Sequence, residues 1–213
     1  MNLLNENVRQ TIQRRLQELP GPVKLLFFKE NVSCQTCDIA QQLVGELEKL
    51  SENLNVETYN RLIDDKKAAE YGVDKSPAFV LEGPAGARVR YFGLPVGYEF
   101  AAFLDDLKDV ASGRADISPD TQQKLSGIQK PVHIQVFVTS TCPYCPPAVR
   151  TAHKLAINFP GITADMVQAE EFPALARKYD VQGVPKIVVN DTVHFVGAQP
   201  EQSFTEAILK AVA

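Results

Sequence analysis

All four cysteines of the 213-residue chain fall in two copies of one spacing, Cys34-Gln35-Thr36-Cys37 and Cys142-Pro143-Tyr144-Cys145. Two thiols three residues apart at a strand-to-helix turn can close a disulfide across one helical turn, and that arrangement is the redox one. The first cysteine meets the free N–H groups and positive dipole end of the helix, which favour a thiolate. Lowering a thiol pKa from about 8.5 to about 7 raises the thiolate from a few per cent to about half at neutral pH. The thiolate is the form that attacks a disulfide. Cys142 and Cys34 are therefore the expected nucleophiles, with Cys145 and Cys37 as their resolving partners. The same four residues have a second reading, a tetrahedral zinc site of four sulfurs. Such sites sit on tight knuckles with short spacing, whereas here about 100 residues of folded unit separate the pairs, and no metal is expected.

Each motif needs a strand before it and a helix after it, and the sequence supplies both. Apolar runs at Val23 to Phe28 and Val132 to Val138 read as buried strands. After the first motif, Ile39, Leu43, Val44, Leu47 and Leu50 form a helical stripe; after the second, Val149, Ala152, Leu155, Ala156 and Phe159 do. A helix over 7–19 ends at Pro20-Gly21-Pro22. Further strands are expected at 56–59, 78–81, 88–92, 162–167, 186–189 and 193–196. Further helices are expected at 64–70, 98–110, 120–128, 172–179 and 200–212. Pro146-Pro147 falls in a first helical turn, where missing N–H groups cost little.

The two halves are one unit written twice. Cys142 follows Cys34 by 108 residues (142 − 34), Tyr179 follows Tyr71 by 108 (179 − 71), and Pro185 follows Pro77 by 108 (185 − 77). The hairpin turn Gly83-Pro84-Ala85-Gly86 of the first half shrinks to Asn190-Asp191 in the second. Helical crossovers imply parallel strand pairs, and the short turn near each half's end implies an antiparallel hairpin. The polar stretch 111–119, with Gly113 and Pro119, places the boundary so that the domains span 1–115 and 116–213.

Composition narrows the partners. The chain carries 22 Lys and Arg against 26 Asp and Glu, a net charge of −4, so it offers no basic field for nucleic acid. No apolar run is long enough to span a membrane, and the first residues lack the basic start and apolar core of a signal peptide. A cytoplasmic setting is expected, where cysteines are more often catalytic than structural. His133, His153 and His194 are scattered and read as surface or strand residues, and Glu30 reads as a solvated charge near the first motif.

A strand, a Cys-x-x-Cys, a helix and a proline at the start of a later strand resemble the thioredoxin fold. Pro77 in Lys75-Ser76-Pro77-Ala78 and Pro185 in Gly183-Val184-Pro185-Lys186 match that fold's cis proline, and Cys-Pro-Tyr-Cys is the motif of glutaredoxins. Over its whole length the chain is similar to the two-domain, glutaredoxin-like protein disulfide oxidoreductases of thermophilic archaea and bacteria. The most specific pieces are Arg90-Tyr91-Phe92-Gly93-Leu94-Pro95, Glu99-Phe100-Ala101-Ala102-Phe103-Leu104, 136–146 and Val184-Pro185-Lys186-Ile187-Val188. The resemblance implies an α/β fold of two tandem thioredoxin-like domains, each a mixed central sheet flanked by helices. It implies that Pro185, Val184, Pro77 and Ser76, with Pro143 and Tyr144, line the grooves that receive substrate.

The same resemblance implies thiol–disulfide exchange on disulfide-containing proteins (reduction, oxidation and isomerisation), with electrons from a thioredoxin-reductase-like flavoenzyme and no bound cofactor. Two departures stand out. Thioredoxins bury an acid six residues before the first cysteine, where this chain has Phe28 and Val136, so Glu30 or water is the expected proton acceptor in the first half. Val196-Gly197-Ala198-Gln199-Pro200 lacks the acidic pair with which glutaredoxins hold glutathione, which argues against glutathione as cosubstrate. The rival readings are a dedicated electron shuttle from a flavin reductase to a peroxidase, and a peptide-binding scaffold with incidental thiols.

Overall fold

A computed structural model describes residues 3–32 and 34–213. The first half contains α1 (Glu6–Gln17), β1 (Val23–Lys29), α2 (Cys37–Glu48), β2 (Leu54–Asn60), α3 (Asp65–Glu70), β3 (Ala78–Glu82), β4 (Arg88–Phe92) and α4 (Glu99–Ser112). The second contains α5 (Pro119–Leu125), β5 (Val132–Val138), α6 (Cys145–Asn158), β6 (Ile162–Gln168), α7 (Pro173–Lys178), β7 (Lys186–Val189), β8 (Val193–Val196) and α8 (Glu201–Val212). Both halves are mixed α/β units with the Cys-x-x-Cys motifs in equivalent places, as the repeat requires.

Local chemistry explains the element ends. Asn5 caps α1 by accepting from the Val8 N–H at 3.0 Å, and the helix buries Ile12 and Leu16. Ser118 caps α5 in the same way, with Pro119 in the first turn. The helix expected to reach Ile128 stops at Leu125, two residues short of Gly127. Asn190 and Asp191 both take positive φ, 47° and 59°, which suits a two-residue hairpin turn between twisted strands.

Within each half one strand pairs in parallel with the crossover strand and antiparallel with the hairpin: β1 with β2 and β3, β5 with β6 and β7. The sequence led to one sheet per half. Instead the two form a single eight-stranded sheet in the order β2-β1-β3-β4-β6-β5-β7-β8. The joint is the parallel pairing of β4 with β6, in which Arg90 stands opposite Asp165. Both edges would otherwise leave backbone N–H and C=O groups unpaired, and joining them removes two exposed sheet edges.

That Arg90–Asp165 pair is ionic, with Nε 2.6 Å from the carboxylate, and His133 Nε2 lies 2.6 Å from its other oxygen. Burial pushes the Asp165 pKa up, but the Arg90 guanidinium and the His133 hydrogen bond outweigh it and hold the group below its ordinary value. One face of the sheet carries the larger core, with α1, α2, α4, α6 and α8; the other packs against α3 and α7 around Phe28, Tyr71, Phe137 and Tyr179.

The strand directions fix where the two motifs face. β1 runs antiparallel to β3 and β3 antiparallel to β4, so β4 runs with β1; β4, β6 and β5 run together. Both motifs follow the C-terminal ends of their strands and therefore open on the same edge of the sheet. Four strand spacings separate β1 from β5 in the sheet order, roughly 19 Å at about 4.8 Å each.

Candidate active site

Each Cys-x-x-Cys is closed as a disulfide, Cys34 to Cys37 and Cys142 to Cys145, with Cα–Cα distances of 5.4 and 5.5 Å. The second cysteine of each pair opens a helix, α2 or α6, so the first stands at the mouth of that helix. Accessibility differs within each pair. Cys37 is 2% exposed and Cys145 fully buried, whereas Cys34 is half-buried and Cys142 is 8% exposed. The separation of β1 from β5, roughly 19 Å or more, is too great for four sulfurs to share one metal, and the zinc alternative fails on that geometry.

The prolines lie where the repeat puts them. Ser76–Pro77 and Val184–Pro185 are both cis, and the Pro77 and Pro185 carbonyls accept from Gly93 N–H at 2.9 Å and Gly197 N–H at 2.8 Å. Each centre thus sits beside a short floor made of a proline strand-start and a glycine that follows the hairpin. Val184 contributes more than the packing its apolar side chain offers: its carbonyl oxygen is 3.8 Å from Cys142 Sγ. Among the described residues the buried Ser76 hydroxyl has no hydrogen-bond partner. Tyr144 projects outward at 69% exposed, and Val196 of the second hairpin is open at 52%.

A model of the thioredoxin domain family matches residues 132–210. A thioredoxin from Methanocaldococcus jannaschii is 35% identical over 80 residues, covering 37% of this chain and 94% of that protein. A protein disulfide oxidoreductase from Aeropyrum pernix superposes with a TM-score of 0.90 at 30% identity, over 98% of this chain and 93% of that one. This chain belongs to the protein disulfide oxidoreductase family. It is also 25% identical over 175 residues to an alkyl hydroperoxide reductase component of Staphylococcus epidermidis, a match that covers 80% of this chain. The chain spans only 31% of that relative's length. No helix among the described residues is long and apolar enough to cross a membrane.

Several expectations about side chains change. Glu30 is not a solvated charge: its carboxylate takes the Arg61 Nε–H at 2.5 Å and is only 12% exposed, while its backbone N–H points at Cys37 Sγ from 3.5 Å. His153 is neither a surface nor a strand residue. It is fully buried in α6, where Nδ1 donates to Asp106 at 2.5 Å. Burial and then the Arg150 cation hold its pKa down at about 3, so the ring is neutral. Asp106 also meets the Tyr91 hydroxyl and Arg150, which reaches Asp109 as well. This network ties α4 of the first half to the helix that starts at Cys145 in the second.

Nothing in the motif spacing singles out Glu99. It lies on the inner stripe of α4 with Asp106 and is fully buried; neither carboxylate oxygen has a hydrogen-bond partner among the described residues. Burial raises its pKa to about 8. The α4 N-terminus rests on the loop before Cys142, with Tyr98 N–H donating to the Ser140 carbonyl at 3.4 Å. α4 and α6 both start from the same sheet edge and pack together, so they run in parallel. Asp106 meets Arg150 and His153. Two turns earlier, roughly 10 Å at 1.5 Å per residue, Glu99 stands level with the Cys145 end of α6. The available signal was a pair of acids seven residues apart, Glu99 and Asp106, inside an apolar stripe.

Proposed function

We propose that both centres exchange disulfides with protein substrates, catalysing reduction, oxidation and isomerisation. In reduction, the Cys142 thiolate attacks one substrate sulfur, the substrate S–S bond breaks, and the departing sulfur leaves as a thiolate that takes a proton. Cys145 then loses its proton and attacks Cys142 Sγ. The second substrate sulfur is released, and the Cys142–Cys145 disulfide carries the two-electron oxidation. Cys34 and Cys37 act alike in the first centre. Pro185 with Val184, and Pro77 with Ser76, line the substrate grooves; Pro143 and Tyr144 present the second centre's rim. Glu99 is the proton acceptor for Cys145, the part that neither Val136 nor any acid on β5 plays.

The observation that carries this reading is the twofold occurrence, on one edge of one sheet, of a half-buried or rim cysteine, a buried partner and a cis proline beside them. Electrons are proposed to come from a thioredoxin-reductase-like flavoenzyme in the cytosol, where thiols are kept reduced. The likeness to a component of an alkyl hydroperoxide reductase favours a second reading, a shuttle dedicated to a peroxidase. Turnover of insulin or scrambled ribonuclease decides between them: a general oxidoreductase reduces insulin and reactivates the ribonuclease, and a dedicated shuttle does neither.

A further inference from the structure

The two centres differ in what covers them. The loop after β6, at residues 169–172, leaves the second half and reaches the first centre. The Thr36 hydroxyl, in the middle of Cys34-Gln35-Thr36-Cys37, donates to Glu171 Oε2, and the Leu94 N–H donates to Glu171 Oε1 at 2.6 Å. The same carboxylate lies on the groove floor: a Cβ placed on Gly93 would come within 2.8 Å of Glu171 Oε1, and Gly93 is the residue hydrogen-bonded to Pro77. A Cβ on Gly197, its counterpart in the second centre, would have among the described residues only the Gln199 side chain within contact range, at 3.5 Å. The residue 108 before Glu171 is Ile63, exposed at 75%. The acid is thus peculiar to the second copy, and it is spent on the first copy's site.

Resting on the reading that both centres exchange disulfides, we propose that Glu171 of the second half is a positioning residue of the first centre, fixing Thr36 and making Cys34 a weaker acid and the centre more reducing. The physics is one-sided. A carboxylate at the helix mouth opposes the thiolate that the helix N-terminus favours. Only the reduced centre carries a thiolate, so the charge penalises the reduced form and leaves the disulfide untouched. Other charges near this site are largely matched: Glu30 pairs with Arg61, and Asp74 with Lys75 before Pro77. Asp38 in the first turn of α2 adds to the same sign, whereas the first turn of α6 has no acid.

The test uses the full chain with the second centre disabled by Cys142→Ser and Cys145→Ser. Iodoacetamide reactivity of Cys34 against pH gives its apparent pKa, and glutathione redox buffers give the midpoint. In both Glu171→Gln and Glu171→Ala, Cys34 is expected to react several-fold faster at pH 7. The equilibrium constant with glutathione is expected to move about tenfold toward the dithiol, roughly 30 mV for a two-electron couple. In the reciprocal background, Cys34→Ser and Cys37→Ser, the second centre's midpoint is expected to stay put. An unchanged or raised Cys34 pKa in either variant, an unmoved midpoint, or an equal shift in the second centre overturns the proposal. A first centre that fails to titrate even with Glu171 present overturns instead the redox reading on which it rests.

Discussion

Replacing Glu99 by Gln is expected to stabilise the protein at neutral pH and to slow it. In the fold this carboxyl gives up its proton only near pH 8, because it is buried without a hydrogen-bond partner among the described residues; its ordinary value, kept in the unfolded chain, is 4.5. Between those values the folded state holds a proton that the unfolded state has released. For an acid with a raised native pKa, stability is greatest below the unfolded pKa and falls as pH rises, by about 1.4 kcal/mol per unit. The wild type therefore loses up to about 3 kcal/mol between pH 4.5 and 7, and about 5 by pH 8 and above. A neutral amide of similar shape has no such slope. The two proteins should be nearly equal in denaturant midpoint at pH 4.5, and E99Q should lead increasingly from there to pH 8.

The same substitution removes the acceptor proposed for the Cys145 proton, a carboxyl that serves as base through its ionised fraction as pH approaches 8. General-base assistance contributes about 10²–10⁴-fold, so insulin reduction measured with Cys34→Ser in both proteins should fall at least tenfold. Two results refute the reasoning. Stability curves that run parallel from pH 4.5 to 8 would mean that Glu99 ionises normally in the fold. Reductase turnover within about threefold of the parent would mean that Cys145 hands its proton elsewhere.

Cys145→Ser should hold substrates on Cys142 as mixed disulfides, because the resolving thiol is missing; the absence of DTT-sensitive adducts on a non-reducing gel counts against this assignment. Cys142→Ser should remove most insulin reductase activity while Cys34→Ser leaves a substantial part, since Glu171 stands beside Thr36 in the first motif and weakens Cys34 as an acid; the opposite ranking would make the second domain the auxiliary one. Asp106→Asn leaves Arg150 with Asp109 as its remaining acid, so its cost should be about 1–3 kcal/mol in denaturant unfolding, with a cost below about 0.5 showing that the network between α4 and α6 is idle.

The fold of each half was legible because its determinants are local or repeated. The strand runs at Val23 and Val132, the caps, the two prolines and the 108-residue offset all lie along the chain, and period-2 and period-3.6 patterns report burial directly. What stayed hidden lies between the halves. Nothing in β4 or β6 alone says that Arg90 faces Asp165, because a strand buried on both faces reads the same whether its partner lies in its own half or the other. Glu171 was hidden for the same reason: its loop is polar and ordinary until the neighbouring half is placed. His153 and Glu99 failed differently. Polar residues in a helix default to the solvent face, and only the spacing of Glu99 from Asp106 argued otherwise.

One shared sheet has a consequence for how the two centres work together. The β4–β6 ladder, the Arg90–Asp165 pair across it and the Asp106 network between α4 and α6 fasten the halves at three points. Domains joined only by a linker would be free to bring their cysteines together; these are held roughly 19 Å or more apart on one edge. Disulfide exchange needs sulfur to attack sulfur, so electrons do not pass directly from Cys37 to Cys142 in this arrangement. Each centre must meet its own partner sulfur, while a single extended substrate can lie along the edge and touch both. Since Glu171 and Asp38 place acids at the first centre while the first turn of α6 has none, the shared edge presents a substrate with two chemically unequal sites at a fixed spacing.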